Sequence, residues 1–395
     1  MIEVRHAQVH ELDDMLGVLT TAFRVSKKSW KPGFYAYPHD DIRNKRVVVK
    51  DGKVVSCLEF VPVSIYIGGT TVTMGGIAGV ATLPNERRQG YSGMLMTDSV
   101  HALRELGFAT SMLFPASYRF YRKFGWEYSS HYLKYSIKPE YLPASQEAAR
   151  VRPFEDRDLP TILDIYAQKY AQRYGPFVHN ERLWREDMMP RFRELHVYDN
   201  GGIQGYLVAR RQPRKVFNIV EMLATTDESR QGLMGFLSTL SPKFALIKFL
   251  TCETDLHSLQ LLNPRVFWQN EKLPVYKISI RPGLMFRITD LQEALKAILP
   301  RISGIDGELT IELQDEIGDW NNQPMTISSS GVKPGKTKHC LKANIRAFSQ
   351  VYIGYQTPTQ ALSQGRIEVS SPQALEIADK MFPGSEPFIV GTDDF

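Results

Sequence analysis

The apolar positions of this chain follow two periods, and the order in which they alternate occurs twice. Leu12, Met15, Leu16 and Leu19 recur at helical spacing, and so do Leu159, Ile162, Leu163 and Tyr166. Each predicted helix follows a short β-prone stretch carrying Val-Arg (Val4-Arg5 and Val151-Arg152) and an acidic loop. The runs VVVK and VVSCLEFVPV flank Asp51-Gly52, and LHVYD and IQGYLVARR flank Asn200-Gly201-Gly202, so each half carries a predicted hairpin. A further strand follows in each half, GGIAGVATL or FNIVEMLAT. Then come ERRQGYSGML from Glu86 to Leu95 and ESRQGLMGFL from Glu228 to Leu237, 142 residues apart. They share Glu, Arg, Gln, Gly, Gly and Leu at matching places, with Arg87 and Ser92 replaced by Ser229 and Met234. Each half therefore reads strand, helix, hairpin, strand, glycine loop, helix, strand, which is the signature of a duplication. The joint falls in KPEYLPASQEAARVRPF, whose prolines and small polar residues suit a linker.

After Arg281-Pro282-Gly283 the pattern changes. TDLQEALKAILP places Asp290 and Glu293 like a helix capping pair, with Leu291, Leu295, Ile298 and Leu299 on one side. ELTIELQDE alternates strictly through Leu309, Ile311 and Leu313, as a strand does. Helical segments around a short strand complete an α+β unit.

A length of 395 residues calls for two or three domains, and 43% hydrophobic with 23% charged residues is ordinary globular composition. No run of eighteen apolar residues marks a membrane span, and MIEVRHAQVHELDD is too polar for a secretory leader. Cys57, Cys252 and Cys340 lie too far apart for a disulfide framework or a zinc site, so a cytoplasmic protein without a metal is expected. A net charge of +5 with no basic stripe argues against a nucleic-acid partner.

Candidate chemistry lies in VATLPNERRQGYSGMLMTDSVHALRELGF. Ile77, Val80 and Leu83 form a strand that Pro84 ends, and a helix runs from about Gly90 to Leu106 with Gly107 beyond it. Amides at a helix N-terminus point outward unpaired and the helix dipole adds positive potential, so phosphate groups bind there. Gly90 permits close backbone approach, Ser92 is small, and Arg87 and Arg88 are cationic. Arg87 to Ser92 resembles the pyrophosphate-binding signature of the GNAT N-acetyltransferases, Gln/Arg-x-x-Gly-x-Gly/Ala, with Ser92 in the last place. The resemblance implies acetyl-CoA as cosubstrate. Its pyrophosphate would rest on amides of Arg88, Gln89, Gly90, Tyr91, Ser92 and Gly93, and its pantetheine arm along Val80, Ala81 and Thr82. The second stretch, Ser229 to Met234, lacks the leading cation and puts Met234 where a phosphate would approach. It reads as a decayed loop that has lost the cofactor.

Beyond Gly107, FATSMLFPAS reads as a strand and SYRFYRKFGWEY as a short helix turning at Gly125. Tyr118, Tyr121 and Tyr128 are candidates for the acid that protonates the leaving thiolate, since a phenol is protonated at neutral pH. Tyr121 stands in Tyr-Arg-Lys-Phe-Gly-Trp, which resembles the family's Tyr-x-x-Phe-Gly-aromatic segment, and is the choice. Ala116 and Ser117 would lie near the acetyl group.

The last hundred residues resemble the sterol-carrier-protein fold. Two GNAT-like halves plus that tail resemble the enhanced intracellular survival (Eis) family of aminoglycoside acetyltransferases over essentially the whole chain. This implies an α+β protein of tandem GNAT-fold domains (1–145, catalytic; 146–284, degenerate) followed by a sterol-carrier-like domain (285–395). It implies a homo-hexamer, and a small-molecule polyamine or aminoglycoside as partner. It also implies that the α-carboxylate of Phe395 enters the first unit as general base, with Asp393 and Asp394 lending negative charge to the acceptor pocket. A protein lysine side chain is the alternative acceptor, and a lipid- or sterol-binding module on an inert scaffold the alternative of another class.

Overall fold

The computed structural model describes residues 1–241, 243–251 and 276–395; Cys252 lies outside them. The first half opens with β1 (Ile2–His6), α1 (Leu12–Phe23) and α2 (Lys27–Tyr35). It continues through β2 (Lys45–Lys50), β3 (Lys53–Ile67), β4 (Thr70–Thr82), α3 (Tyr91–Glu105), β5 (Thr110–Leu113), α4 (Tyr118–Arg122) and β6 (Glu127–Tyr128). The second half comprises β7 (His131–Ile137), β8 (Val151–Pro153), α5 (Leu159–Tyr170), β9 (Tyr174–Phe177), and α6 (Glu181–Leu183) and α7 (Met189–Arg191) around a π turn. Then follow β10 (Glu194–Asp199), β11 (Ile203–Gln212), β12 (Val216–Ala224), α8 (Asp227–Ser238), β13 (Leu246–Thr251) and β14 (Tyr276–Pro282). The last part holds β15 (Met285–Ile288), α9 (Leu291–Ala297), α10 (Leu299–Ile302), β16 (Glu308–Gln314), β17 (Met325–Ser328), β18 (Gly331–Pro334) and β19 (Cys340–Asn344). It ends with α11 (Ile345–Tyr352), α12 (Pro358–Ser363), β20 (Ile367–Val369) and α13 (Pro372–Met381).

The predicted amphipathic helix near the start is α1, whose Met15, Leu16 and Leu19 are fully buried against Val47 and Cys57. The predicted Asp51-Gly52 turn joins β2 to β3 with both residues left-handed, φ 48° and 79°, the geometry a two-residue hairpin requires. Asp290 caps α9, its carboxylate accepting from the Glu293 amide at 3.1 Å.

Three sheets organise the molecule. The first runs β1-β2-β3-β4-β5-β15-β6, with β9 beside the far half of β3; the second runs β14-β7-β13-β12-β11-β10-β8; the third runs β18-β17-β16-β19-β20. In the first, β4 and β5 pair in parallel from Met74↔Thr110 to Ile77↔Leu113; in the second, β12 and β13 pair in parallel from Val216↔Leu246 to Ile219↔Phe249. Ile77 and Ile219 end the two parallel ladders at the same 142-residue spacing as the glycine stretches. Beyond them β4 and β12 run on, leaving a cleft in each unit.

Two strands cross the boundaries drawn at 145 and 284. β15 stands between β5 and β6 in the first sheet, and β7 stands between β13 and β14 in the second. Each half thus takes the same structural strand from sequence assigned to another unit. The expected linker is also a packed element. Residues 146–150 form a 3₁₀ turn lying on α8, where a β-carbon on Gly235 would come 2.9 Å from Ser145.

Candidate functional site

The cleft of the first unit begins with a β-bulge. Cys57 pairs with Ala81 and Glu59 with Ala78, so Gly79 and Val80 together oppose Leu58, and Gly79 takes φ 62°. The bulge bends β4 away from β5 and leaves Val80, Ala81 and Thr82 without a strand on that side. Hydroxyls then tie the strand end to the helix. Ser56 Oγ donates to the Ala81 carbonyl at 2.7 Å and contacts Thr82 Oγ1 at 2.7 Å, and Thr82 Oγ1 contacts Ser92 Oγ at 3.0 Å. Ser92, the departure from the usual Gly or Ala, is thereby turned toward Thr82.

The loop between them suits a pyrophosphate. Arg88 and Gly90 are both left-handed, φ 65° and 87°, and α3 starts on Gly90 with no side-chain cap. The first-turn amides of Tyr91, Ser92 and Gly93 therefore keep their outward donors. A left-handed arginine is a strained residue of the kind found at ligand sites. Arg87, Arg88, Gln89 and Gly90 are exposed, and nothing stands within 4 Å of where a β-carbon on Gly90 would be. The cradle fits a phosphorylated cosubstrate.

The second copy is not a loop, which corrects the sequence reading. Residues 229–234 lie inside α8, which begins at Asp227. Thr226 Oγ1 accepts from the Ser229 amide at 3.1 Å, and the Thr226 amide donates to Ser229 Oγ at 3.1 Å. Ser229 stands where the first copy has Arg87, so the same substitution that removes the cation creates a reciprocal cap and starts the helix early. Met234 faces the core at 2% exposure, not a phosphate path. A β-carbon on Gly232 would run into the Tyr198 ring and lie 3.0 Å from the Glu147 carbonyl. Packed chain occupies that side of the helix.

Ala116 and Ser117 sit exposed beyond β5, where Ser117 Oγ caps α4 by accepting from the Phe120 amide at 3.3 Å. Of the three tyrosines, Tyr118 donates to the Gly283 carbonyl at 2.8 Å. Tyr128 lies edge-on to Tyr355, and burial with that neighbour pushes its phenol up to about 12. Tyr121 packs with Ile77 and Leu113, the last residues of the parallel ladder, and its hydroxyl has no hydrogen-bond partner among the described residues. Burial raises its pKa, which keeps it protonated.

The end of the chain reaches β4 one residue before its ladder with β5 ends. The Phe395 ring covers Gly76 of β4 and lies 5.4 Å, centroid to centroid, from Phe114 and 5.8 Å from Phe177. Phe395 lines a narrow pocket with His39, Asp187, Arg191 and Asp394. Sequence reasoning missed the charged cluster beside it. Buried Glu59 accepts from Lys45 Nζ at 3.0 Å, and His39 Nδ1 lies 3.3 Å away. Burial raises the Glu59 pKa, but His39 and Lys45 outweigh it and hold the carboxyl below its ordinary value. Only the alternation of β3 hinted at it, by placing Glu59 among apolar neighbours. The expectation for Asp393 needs correction: it is 1% exposed and bonded on both oxygens, so it offers no free charge to the pocket. Asp394 is exposed, 3.7 Å from Arg210.

The sequence profile of the acetyltransferase (GNAT) domain matches residues 3–129, which hold the loop, the cleft and Tyr121. The first unit is a GNAT domain, and the enzyme class is acyltransferase. The sterol carrier protein domain matches residues 291–390. No curated protein matches the chain. Solved structures share the whole architecture. A GCN5-related N-acetyltransferase from Anabaena variabilis is 21% identical with TM-score 0.81, and a probable N-acyltransferase of unknown function from Enterococcus faecalis is 21% identical with TM-score 0.80. Eis1 from Mycobacterium abscessus is 19% identical with TM-score 0.72; in all three, both chains are covered over 100% of their length. Among the described residues no helix is long and apolar enough to cross a membrane.

Proposed function

We propose that the chain is an acetyl-CoA-dependent N-acetyltransferase acting on primary amines of polycationic small molecules, aminoglycosides above all. The observation that carries this reading is the seat of Phe395 on Gly76, one residue before β4 parts from β5 in the unit whose helix start is uncapped. Acetyl-CoA supplies an acyl group already activated as a thioester. Arg87, Arg88 and the amides of Arg88 to Gly93 hold its pyrophosphate, and the unpaired edge of Val80 to Thr82 guides its arm. The Phe395 α-carboxylate takes a proton from the incoming ammonium. A free α-carboxyl is a weak base at about 3.3–3.7 and needs desolvation to serve; the ring that carries it into place is seated between Phe114 and Phe177. Strand-end amides near Val80 stabilise charge developing on the acyl oxygen. Tyr121 protonates the departing sulfur. Glu59 is a poorer base, because Lys45 holds its charge in place.

Asp187 is paired with Arg191 at 2.7 Å, so the charge at the mouth that favours a cationic acceptor comes from exposed Asp394 and the terminus. The likeness to Eis1 is one of fold; the sequence resemblance supports the hexamer and the aminoglycoside acceptor. A panel of amines scored for CoA release, with mass spectrometry of the products, tests it. Turnover of aminoglycosides and polyamines is expected; turnover of lysine peptides alone would overturn the small-molecule assignment.

A further inference from the structure

The last residues of the chain are held by a unit other than the one they belong to. From Phe388 to Asp394 most of their partners come from the second unit. The Phe388 amide donates to the Tyr174 carbonyl at 3.1 Å, and Phe388 and Val390 join the apolar cluster of Leu159, Tyr166, Trp184 and Val220. Gly391 lies against the Val220 carbonyl with no room for a β-carbon. Thr392 Oγ1, fully buried, donates to Glu221 Oε2 at 2.7 Å. Val220 and Glu221 follow Ile219, the last residue of the β12–β13 ladder. Arg191 donates to the carbonyls of Thr392, at 2.9 Å, and Asp394.

Asp393 is the centre of this grip. Its Oδ2 accepts from the Phe177 amide at 2.9 Å and the Tyr166 hydroxyl at 3.1 Å, and its Oδ1 meets His179 Nε2 at 2.6 Å. The indole of Trp184 can only donate, and its Nε1 reaches His179 Nδ1 at 3.1 Å. Nδ1 is therefore the acceptor and Nε2 carries the hydrogen given to Asp393. Stacking of the imidazole on Tyr166, centroids 3.6 Å apart, fixes the ring. Every donor facing Asp393 is thus committed to a carboxylate, and an amide there would set N–H against N–H.

We propose that the second unit is a socket for the C-terminal tail, with Asp393 and His179 as positioning residues for Phe395. Two residues separate Asp393 from the terminus, a reach of about 7 Å, so anchoring Asp393 confines the terminal carboxylate to the mouth of the first cleft. A unit that has closed its own cofactor loop keeps a role by presenting a group to its active neighbour. The catalytic consequence rests on the reading of Phe395 as base; the socket itself does not.

The test uses the full-length protein carrying Asp393→Asn, with His179→Gln as a second variant in case the first fails to fold. Three quantities are measured: release of Phe395 by carboxypeptidase under native conditions, acetyl-CoA affinity, and kcat and KM for the amine. The socket predicts release faster by about tenfold or more, as a locally opened segment allows, with acetyl-CoA affinity unchanged and kcat lowered. Release at the wild-type rate in both folded variants overturns the socket, whatever happens to activity. Faster release with kcat intact upholds the socket and removes the base role from Phe395.

Discussion

Phe395 lies with its ring on Gly76, so close that a β-carbon on Gly76 would come 2.6 Å from it. No side chain fits between the terminal residue and the strand that lines the cleft. Gly76→Ala should therefore push Phe395 out of its seat while leaving the pyrophosphate loop intact. The expected outcome is a fall in kcat with acetyl-CoA affinity retained, read by steady-state kinetics and calorimetry. An unchanged kcat would separate Phe395 from the chemistry.

The position of the carboxylate matters more than the ring that anchors it. Adding one glycine after Phe395 moves the charge by about 3.3–3.6 Å, beyond the reach of about 2.6–3.2 Å that proton transfer needs. Extension or deletion should abolish most activity without changing the melting temperature, and Phe395→Ala should be milder. Full kcat/KM in the extended protein would return the base role to a side chain.

The two glycine stretches should respond differently to the same change. Gly90 is exposed and left-handed, so Gly90→Val should block acetyl-CoA binding by straining the loop that holds the phosphates. Gly232 is buried under Tyr198, so Gly232→Val should cost about 1–3 kcal/mol of stability through overpacking. Calorimetry should find one acetyl-CoA per chain; two equivalent sites would contradict the capped start of α8.

Tyr121→Phe should lower kcat by roughly 10²–10⁴-fold with little change in acetyl-CoA affinity. Tyr118→Phe instead removes a hydrogen bond to the Gly283 carbonyl and should act on stability. Equal kinetic losses from both would move the acid elsewhere.

Glu221 gives a pH dependence to stability. Burial pushes its pKa from 4.5 up to about 7 in the folded chain. Its contribution is fully present below pH 4.5, where native and unfolded chains both hold the proton. As pH rises toward 7 the unfolded chain releases the proton first, and the contribution, roughly 3 kcal/mol, is lost. Glu221→Gln should flatten that part of the curve. Denaturant midpoints from pH 4.5 to 8 that fall equally in both proteins would refute the assignment.

Local physics made much of this legible. The helical spacing of Met15, Leu16 and Leu19, the left-handed pair at Asp51-Gly52 and the open start at Gly90 are short-range effects, and each appears where the sequence placed it. The start of α8 was misread because its glycine pattern survives while Ser229 acts through a cap with Thr226, a partner outside the repeated stretch. Glu59 was missed and Asp393 misjudged for a different reason. A carboxylate buried by Lys45, or by His179 and Tyr166 far along the chain, looks in sequence like any surface acid.

The loan of β7 and β15 between the first two sheets bears on how such a chain can change over generations. A gene fragment cut at the joint yields a first sheet without the strand that separates β5 from β6, and a second without the one between β13 and β14. Neither half is an inheritable module by itself. Cutting out the second copy, residues 146–284, would take β9 from beside β3 and leave β7 without β13 and β14. The second unit was free to lose its chemistry and was not free to disappear.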